Sequence, residues 1–85
     1  MSVMKILSNR NRFTIMKLLF TAKDDLCVNE LSDAAGMSQS ATSHQLAYLE
    51  AHGVVESVQT GKTKCYLPTD LPLTRKIRNV ISALS

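Results

Sequence analysis

The sequence predicts one small, mainly α-helical domain that carries a β-hairpin, and three observations predict it. From Asn9 to Ala22, Phe13, Met16, Leu19 and Phe20 recur at three- and four-residue spacing, the period of a helix with one buried face. Between about residues 29 and 52, two helical segments meet across a turn containing Gly36, which is the helix-turn-helix pattern. Two strand-like runs, "VVESV" and "TKCYL", then flank a second glycine-bearing turn. Helices, helix-turn-helix and hairpin in that order make a winged helix-turn-helix of about five helices, a single domain over residues 1–85.

Each element has its own signals. In the first long helix Ile15 and Leu18 widen the apolar stripe, and "KDD" supplies the turn after it. "LCV" reads as a brief extended piece, after which Asn29 is the expected cap of a short helix through Glu30, Leu31 and Ala35. Gly36 suits the left-handed position that closes it. Ser38 then caps a second helix whose Thr42, Leu46 and Leu49 fall on one face, leaving Ser40, Ser43, His44 and Ala47 opposite and Gln39 at the N-terminal end. The wing is expected at about residues 54–67 with "QTGK" as its turn. Thr69 or Asp70 precedes a last helix, about 71–84, with a stripe of Leu73, Ile77, Val80, Ile81 and Leu84. A core built from 85 residues leaves little stability to spare. That stripe, with the N-terminal "SVMKIL", is therefore the expected interface of a homodimer.

Charge is segregated. Lys5, Arg10, Arg12, Lys17 and Lys23 stand before residue 24 with no carboxylate among them, and Lys62, Lys64, Arg75, Lys76 and Arg78 follow residue 61. Between these flanks lie Asp24, Asp25, Glu30, Asp33, Glu50 and Glu56 without a single Lys or Arg. The net charge of +3 thus sits at two edges, as suits a polyanion gripped from its sides. The composition is that of a folded chain, and no apolar run is long enough to span a bilayer. With no secretory-type leader and only two cysteines, a cytosolic protein is expected. A glycine-rich phosphate loop and a nucleophile elbow are both missing, so neither an enzyme nor a cofactor or small-molecule substrate is expected.

The uncharged second helix of the helix-turn-helix fits a division of labour seen in major-groove readers, where base edges are read by hydrogen-bonding side chains and phosphates fix the register. Gln39 can pair bidentately with adenine, and Ser40, Ser43 and His44 can contact bases of the same duplex. Ser38, Lys62 and Lys64, with Arg10 and Arg12, are the candidates for backbone and wing contacts. Double-stranded DNA is the expected partner; a winged helix that docks another protein is the alternative.

The segments "LSNRNRFTIMKLL", "DLCVNELSDAAGMSQSATSHQLAYLEAHGVV" and "GKTKCY" resemble the arsenic-repressor (ArsR/SmtB) family of prokaryotic regulators, a likeness that spans Ile6 to Asp70. It implies a homodimeric repressor on a dyad-symmetric operator, with Gln39, Ser40, Ser43 and His44 as base-reading positions, the wing in the minor groove and an inducer that releases DNA. The family's Cys-X-Cys metal site is matched only by Cys27, because Asn29 holds the second position, and the last helix has no His, Cys, Asp or Glu. A metal-responsive repressor is therefore the lesser alternative, and no metal ligands are expected. In winged helices the piece corresponding to "LCV" often pairs with the second wing strand, which places Cys27 near Cys65. Since the resemblance includes relatives that respond to oxidants through two thiols, these cysteines are the candidate redox pair, with two inert half-buried thiols as the plainer expectation.

Overall fold

A computed structural model describes residues 3–84 as five helices and a three-stranded sheet. The order is α1 (Val3–Leu7), α2 (Arg10–Thr21), β1 (Leu26–Cys27), α3 (Val28–Ala35), α4 (Gln39–Ala51), β2 (Val55–Thr60), β3 (Thr63–Pro68) and α5 (Pro72–Leu84). Within "SVMKIL", Ser2 lies outside the described residues.

The core takes one to three side chains from nearly every element. Ile6 of α1, Ile15, Met16 and Leu19 of α2, Leu31 of α3, Leu46 and Leu49 of α4, Val54 and Val55, Tyr66 of β3, and Ile77 and Ile81 of α5 are buried together. Phe13, Leu18 and Phe20 pack partly against this cluster, so the α2 stripe is as wide as its periodicity suggests. The buried hydroxyls are satisfied locally. Thr42 donates to the Ser38 carbonyl at 2.8 Å. Thr69 donates to the Gly53 carbonyl at 2.7 Å, and its Oγ1 lies 2.6 Å from that of Thr74. With Thr69 N–H on the Val54 carbonyl at 3.1 Å, these bonds tie the end of α4 to the start of α5.

The helix-turn-helix angle is set by two caps. Gly36, at φ 68°, ends α3 in the left-handed region, while the Met37 N–H reaches the Ser32 carbonyl at 2.9 Å and the Gly36 N–H reaches Asp33 at 3.3 Å. This glycine-closed pair of hydrogen bonds turns the chain within two residues. Ser38 Oγ then accepts from the Ala41 N–H at 3.0 Å and starts α4. The N-terminus of α3 differs from the sequence expectation. Its cap is Cys27, whose N–H donates to Glu30 Oε1 at 2.9 Å, and Asn29 sits inside the first turn. Glu30 three residues on supplies the reciprocal half of a capping box, a bond that outweighs Asn29's local preference.

The sheet is antiparallel with order β1-β3-β2. Leu26 faces Tyr66 and Cys27 faces Cys65, while β2 and β3 pair from Val55 opposite Pro68 to Thr60 opposite Thr63. The wing turn is therefore only Gly61 and Lys62, shorter than the four residues "QTGK" that the sequence suggests. Gly61 has φ 62° and Lys62 a negative φ, the pattern of a two-residue turn with glycine first. Pro68, opposite Val55 at the strand end, closes β3 where no further donor is needed.

The stripe on α5 divides. Ile77 and Ile81 are consumed by the domain's own core, which corrects their assignment to a dimer surface: as buried neighbours of α1 and α2 they are not offered outward. Leu73 is half-buried against the core. Val80 and Leu84 instead join Met4, Leu7, Ser8 and Phe13 in an apolar groove of about 180 Å³, with Met4 76% and Leu84 68% exposed.

Arg12 is also reassigned. Its guanidinium donates to the Ile6 carbonyl at 3.0 Å, to the Lys5 carbonyl and Gln45 Oε1 at 3.3 Å each, and lies 4.1 Å from the centre of the Tyr48 ring. Its guanidinium is therefore engaged as a tie between α1, α2 and α4. Near α5, a hydrogen bond from Arg75 at 3.0 Å and its charge hold the exposed Asp70 carboxyl below its ordinary range. A carboxyl lowered by folding favours the folded state at neutral pH and loses that effect as pH falls through its titration.

Replacing Arg12→Ala removes hydrogen bonds to two carbonyls and a cation–ring contact. It is expected to lower unfolding free energy by about 1–3 kcal/mol in urea titrations.

Candidate nucleic-acid interface

Helix α4 is anchored through one stripe and bare on the other. Thr42, Leu46 and Leu49 are buried, whereas Gln39, Ser40, Ser43, His44 and Ala47 are all exposed, as is Ser38. The packing of the leucines turns the polar side chains away from the core because residues three and four apart share a face. No charged group stands on that outer face through its first two turns.

The wing stands beside this helix. A polar groove of about 450 Å³ is lined by Gln39 and Ser43 on one side, Lys62, Thr63 and Lys64 on another, and Val28 and Asn29 at the start of α3. Two of the four base-reading candidates thus meet both wing lysines, while Ser40 and His44 lie on the exposed helix outside the groove lining. Lys62 is exposed at the turn, one residue beyond the positive-φ Gly61. Lys64 Nζ is 3.8 Å from Glu50 Oε1 and 5.6 Å from the Tyr66 ring centre. Glu50, which also accepts from Ser57 at 2.8 Å, thereby draws Lys64 toward the helix side of the wing. Arg10 is exposed at the first residue of α2, but α2 contributes nothing to the groove.

Asn29 escaped sequence reasoning because a capping role accounted for it. The pairing of β1 with β3 could have revealed it, since residues just after Cys27 must then stand beside residues just before Cys65. Cys27 and Cys65, expected on neighbouring strands, are direct register partners and their sulfurs are bonded. His52 is the C-cap of α4 and packs edge-on against Tyr48, with ring centres 4.4 Å apart. Among the described residues no three His, Cys, Asp or Glu side chains cluster to hold a metal ion. A further cleft of about 470 Å³, between the end of α2, the Lys23–Asp25 turn and Arg78, mixes both charge signs and includes none of the interface candidates.

A helix-turn-helix with its second helix bare and a lysine-tipped hairpin beside it is the DNA-reading class of winged helix. The profile of the family described as "Bacterial regulatory protein, arsR family" matches residues 4–57, and the chain belongs to that family of transcriptional regulators, not of enzymes. It is 37% identical over 67 residues to a Halobacterium salinarum protein named as the arsenical resistance operon repressor ArsR, covering 79% of this chain and 52% of that protein. It is 40% identical over 62 residues to the cadmium resistance transcriptional regulatory protein CadC of Listeria innocua, covering 73% of this chain and 51% of the relative. The chain thus spans about half the length of these relatives. Its fold also superimposes, with a TM-score of 0.80 and 28% identity, on a solution NMR structure from Mycobacterium bovis; the match covers 96% of this chain and 74% of that one. That structure is described as a homodimeric winged helix-turn-helix DNA-binding domain of a possible ArsR-family transcriptional regulator. Among the described residues no helix is long and apolar enough to cross a membrane.

The outer face of α4 and its cap should separate cleanly in stability measurements. Ser38→Ala is expected to cost about 1 kcal/mol through loss of the cap, with Ser38→Asp restoring it. Ser43→Ala and His44→Ala should change unfolding free energy by less than about 0.5 kcal/mol.

Proposed function

We propose that this chain is a sequence-specific DNA-binding repressor that acts as a homodimer on a dyad-symmetric operator. The observation that carries the proposal is the bare, neutral face of α4 with Gln39 and Ser43 joined to Lys62 and Lys64 across one groove. Gln39, Ser40, Ser43 and His44 read base edges, and Asn29 joins them at the groove wall. Lys62 and Lys64 meet phosphates, with Ser38 at the α4 N-terminus and Arg10 as outlying backbone contacts. Without an arginine on α4, affinity per subunit is modest, and two linked subunits raise it.

The groove of Met4, Leu7, Val80 and Leu84 supports the dimer. It lies where α1 and α5 meet, it is apolar, and its rim residues Met4 and Leu84 are exposed in the single chain. The named arsenical and cadmium functions of the relatives do not carry over on residues: Asn29 stands at the second position of the Cys-X-Cys pair, and Cys27 is already bonded to Cys65. Among effector classes, thiol chemistry at Cys27 and Cys65 has the structural support.

Selection from a random duplex pool should recover an inverted repeat. On that duplex Gln39→Ala is expected to lose about 1–3 kcal/mol of binding with relaxed preference at one base pair, read by fluorescence anisotropy. Lys62→Ala should weaken all sequences alike and reduce the salt slope by about one. Duplex binding should weaken steeply with added salt, and the absence of any duplex binding at low salt would favour the protein-docking alternative. Leu84→Glu, at an exposed groove position, should leave the fold intact and shift sedimentation from dimer to monomer.

A further inference from the structure

The wing is tied to α4 by Glu50, which meets Ser57 at 2.8 Å and Lys64 at 3.8 Å, and to the start of α3 through the pairing of β3 with β1. Tyr66 of β3 is locked into the core, and Cys65 is buried, but every residue from Val58 to Lys64 is exposed. Cys65 is therefore the outermost buried anchor of the hairpin. On the other side, β1 is two residues long, and Cys27 is at once its last residue and the cap of α3. The Cys27–Cys65 disulfide closes this two-residue contact covalently across 38 positions of sequence. The two walls of the interface groove begin beside it. Val28 and Asn29 follow Cys27 directly, and Lys64 immediately precedes Cys65, with Thr63 and Lys62 beyond.

We propose that Cys27–Cys65 is a reversible thiol–disulfide clamp, closed in the DNA-reading arrangement, and that a dithiol reductant opens it and lowers duplex affinity. This rests on the DNA-binding function proposed above. The chemistry balances without a metal or a further co-reactant. One thiolate of the dithiol attacks the sulfur of Cys27, the less buried of the two residues, and the Cys27–Cys65 bond breaks with Cys65 leaving as a thiolate that takes up a proton. The reductant's second thiolate then attacks its own sulfur in the mixed disulfide. Cys27 is released as a thiolate and protonated, and the dithiol closes to a cyclic disulfide. Two electrons and two protons pass from the dithiol to the protein. A small-molecule disulfide runs the same exchange in reverse and is the oxidant that closes the clamp.

Opening leaves the hairpin held at Tyr66 and by β2, while the segment carrying Lys62 and Lys64 loses its covalent tie to α3. Short edge pairings of this kind fray. Binding then has to order the wing as well as contact it, and preorganisation is lost. The expected effect is a fall in affinity of about three- to tenfold, the ordering of one or two side chains.

The test uses the whole chain and duplexes selected from random pools in two parallel selections, one with dithiothreitol and one with hydroxyethyl disulfide. Intact mass and thiol counting establish the redox state before each anisotropy titration. The closed form should bind about three- to tenfold more tightly, and re-oxidation of the reduced protein should restore that affinity. The Cys27→Ser/Cys65→Ser double variant should bind like the reduced protein and ignore both reagents. If this variant does not fold, amide exchange on the wild type decides: residues 60–66 should exchange faster after reduction, and unchanged exchange overturns the clamp. A recovered duplex held equally in both states, or more tightly by the reduced form, also overturns the clamp and leaves the DNA-binding function standing. Failure to recover a duplex in either selection overturns that function, and the proposal falls with it.

Discussion

Three buried side chains of α4, Thr42, Leu46 and Leu49, decide what the rest of the surface can be. The two leucines lock the helix to the core by one narrow stripe, and the Thr42 hydroxyl is returned to the Ser38 carbonyl so that no polar group is left unsatisfied. Because the stripe is narrow, the residues opposite it have nothing to pack against and stand in solvent. Gly36 and Ser38 fix where the helix begins and therefore which residues form its exposed first turn. A one-residue shift in that cap would rotate the face by about 100°. The neutral character of the face suits the role proposed for it: a carboxylate there would repel phosphate, and long basic chains are unnecessary when a neighbouring element carries the charge.

That neighbouring element is the hairpin, and its position is governed by the sheet. The order β1-β3-β2 places the second wing strand against the residues that open α3, so the groove walls come from segments more than thirty positions apart in sequence. Arg12 acts at the other end of α4. By holding two carbonyls of α1 and the Gln45 and Tyr48 side chains together, it joins the helix that borders the apolar α1–α5 groove to the helix that carries the bare polar face. One charged side chain thus serves fold geometry, while the lysines of the wing remain at the surface.

Where local chemistry decides the structure, the sequence was legible. The α2 stripe, the Gly36 and Ser38 caps, the inner and outer faces of α4, and the hairpin at Gly61 all follow from spacing or from conformational preference. The meeting of Cys27 and Cys65 came instead from the likeness to other winged helices, and their bond departs from the plainer expectation of two inert thiols. Competition between local signals and tertiary context was less legible. Asn29 is a good cap, but Glu30 could satisfy the Cys27 amide from inside the helix, and this moved the cap two residues back. On α5 the five aliphatic residues form a single stripe in sequence, yet the fold gives Ile77 and Ile81 to the core and leaves Val80 and Leu84 to an outer groove. Arg12 looked like one more cation in a basic segment; only the fold reveals that two backbone carbonyls and a tyrosine ring lie within its reach.

The most direct test of the central claim is an amide and side-chain NMR titration of the labelled protein with its selected duplex. The account predicts that the largest shift changes fall on Gln39, Ser40, Ser43 and His44, with a second set at Asn29 and Lys62 to Lys64. Shifts confined to α2 and α5, with the outer face of α4 unmoved, would contradict it.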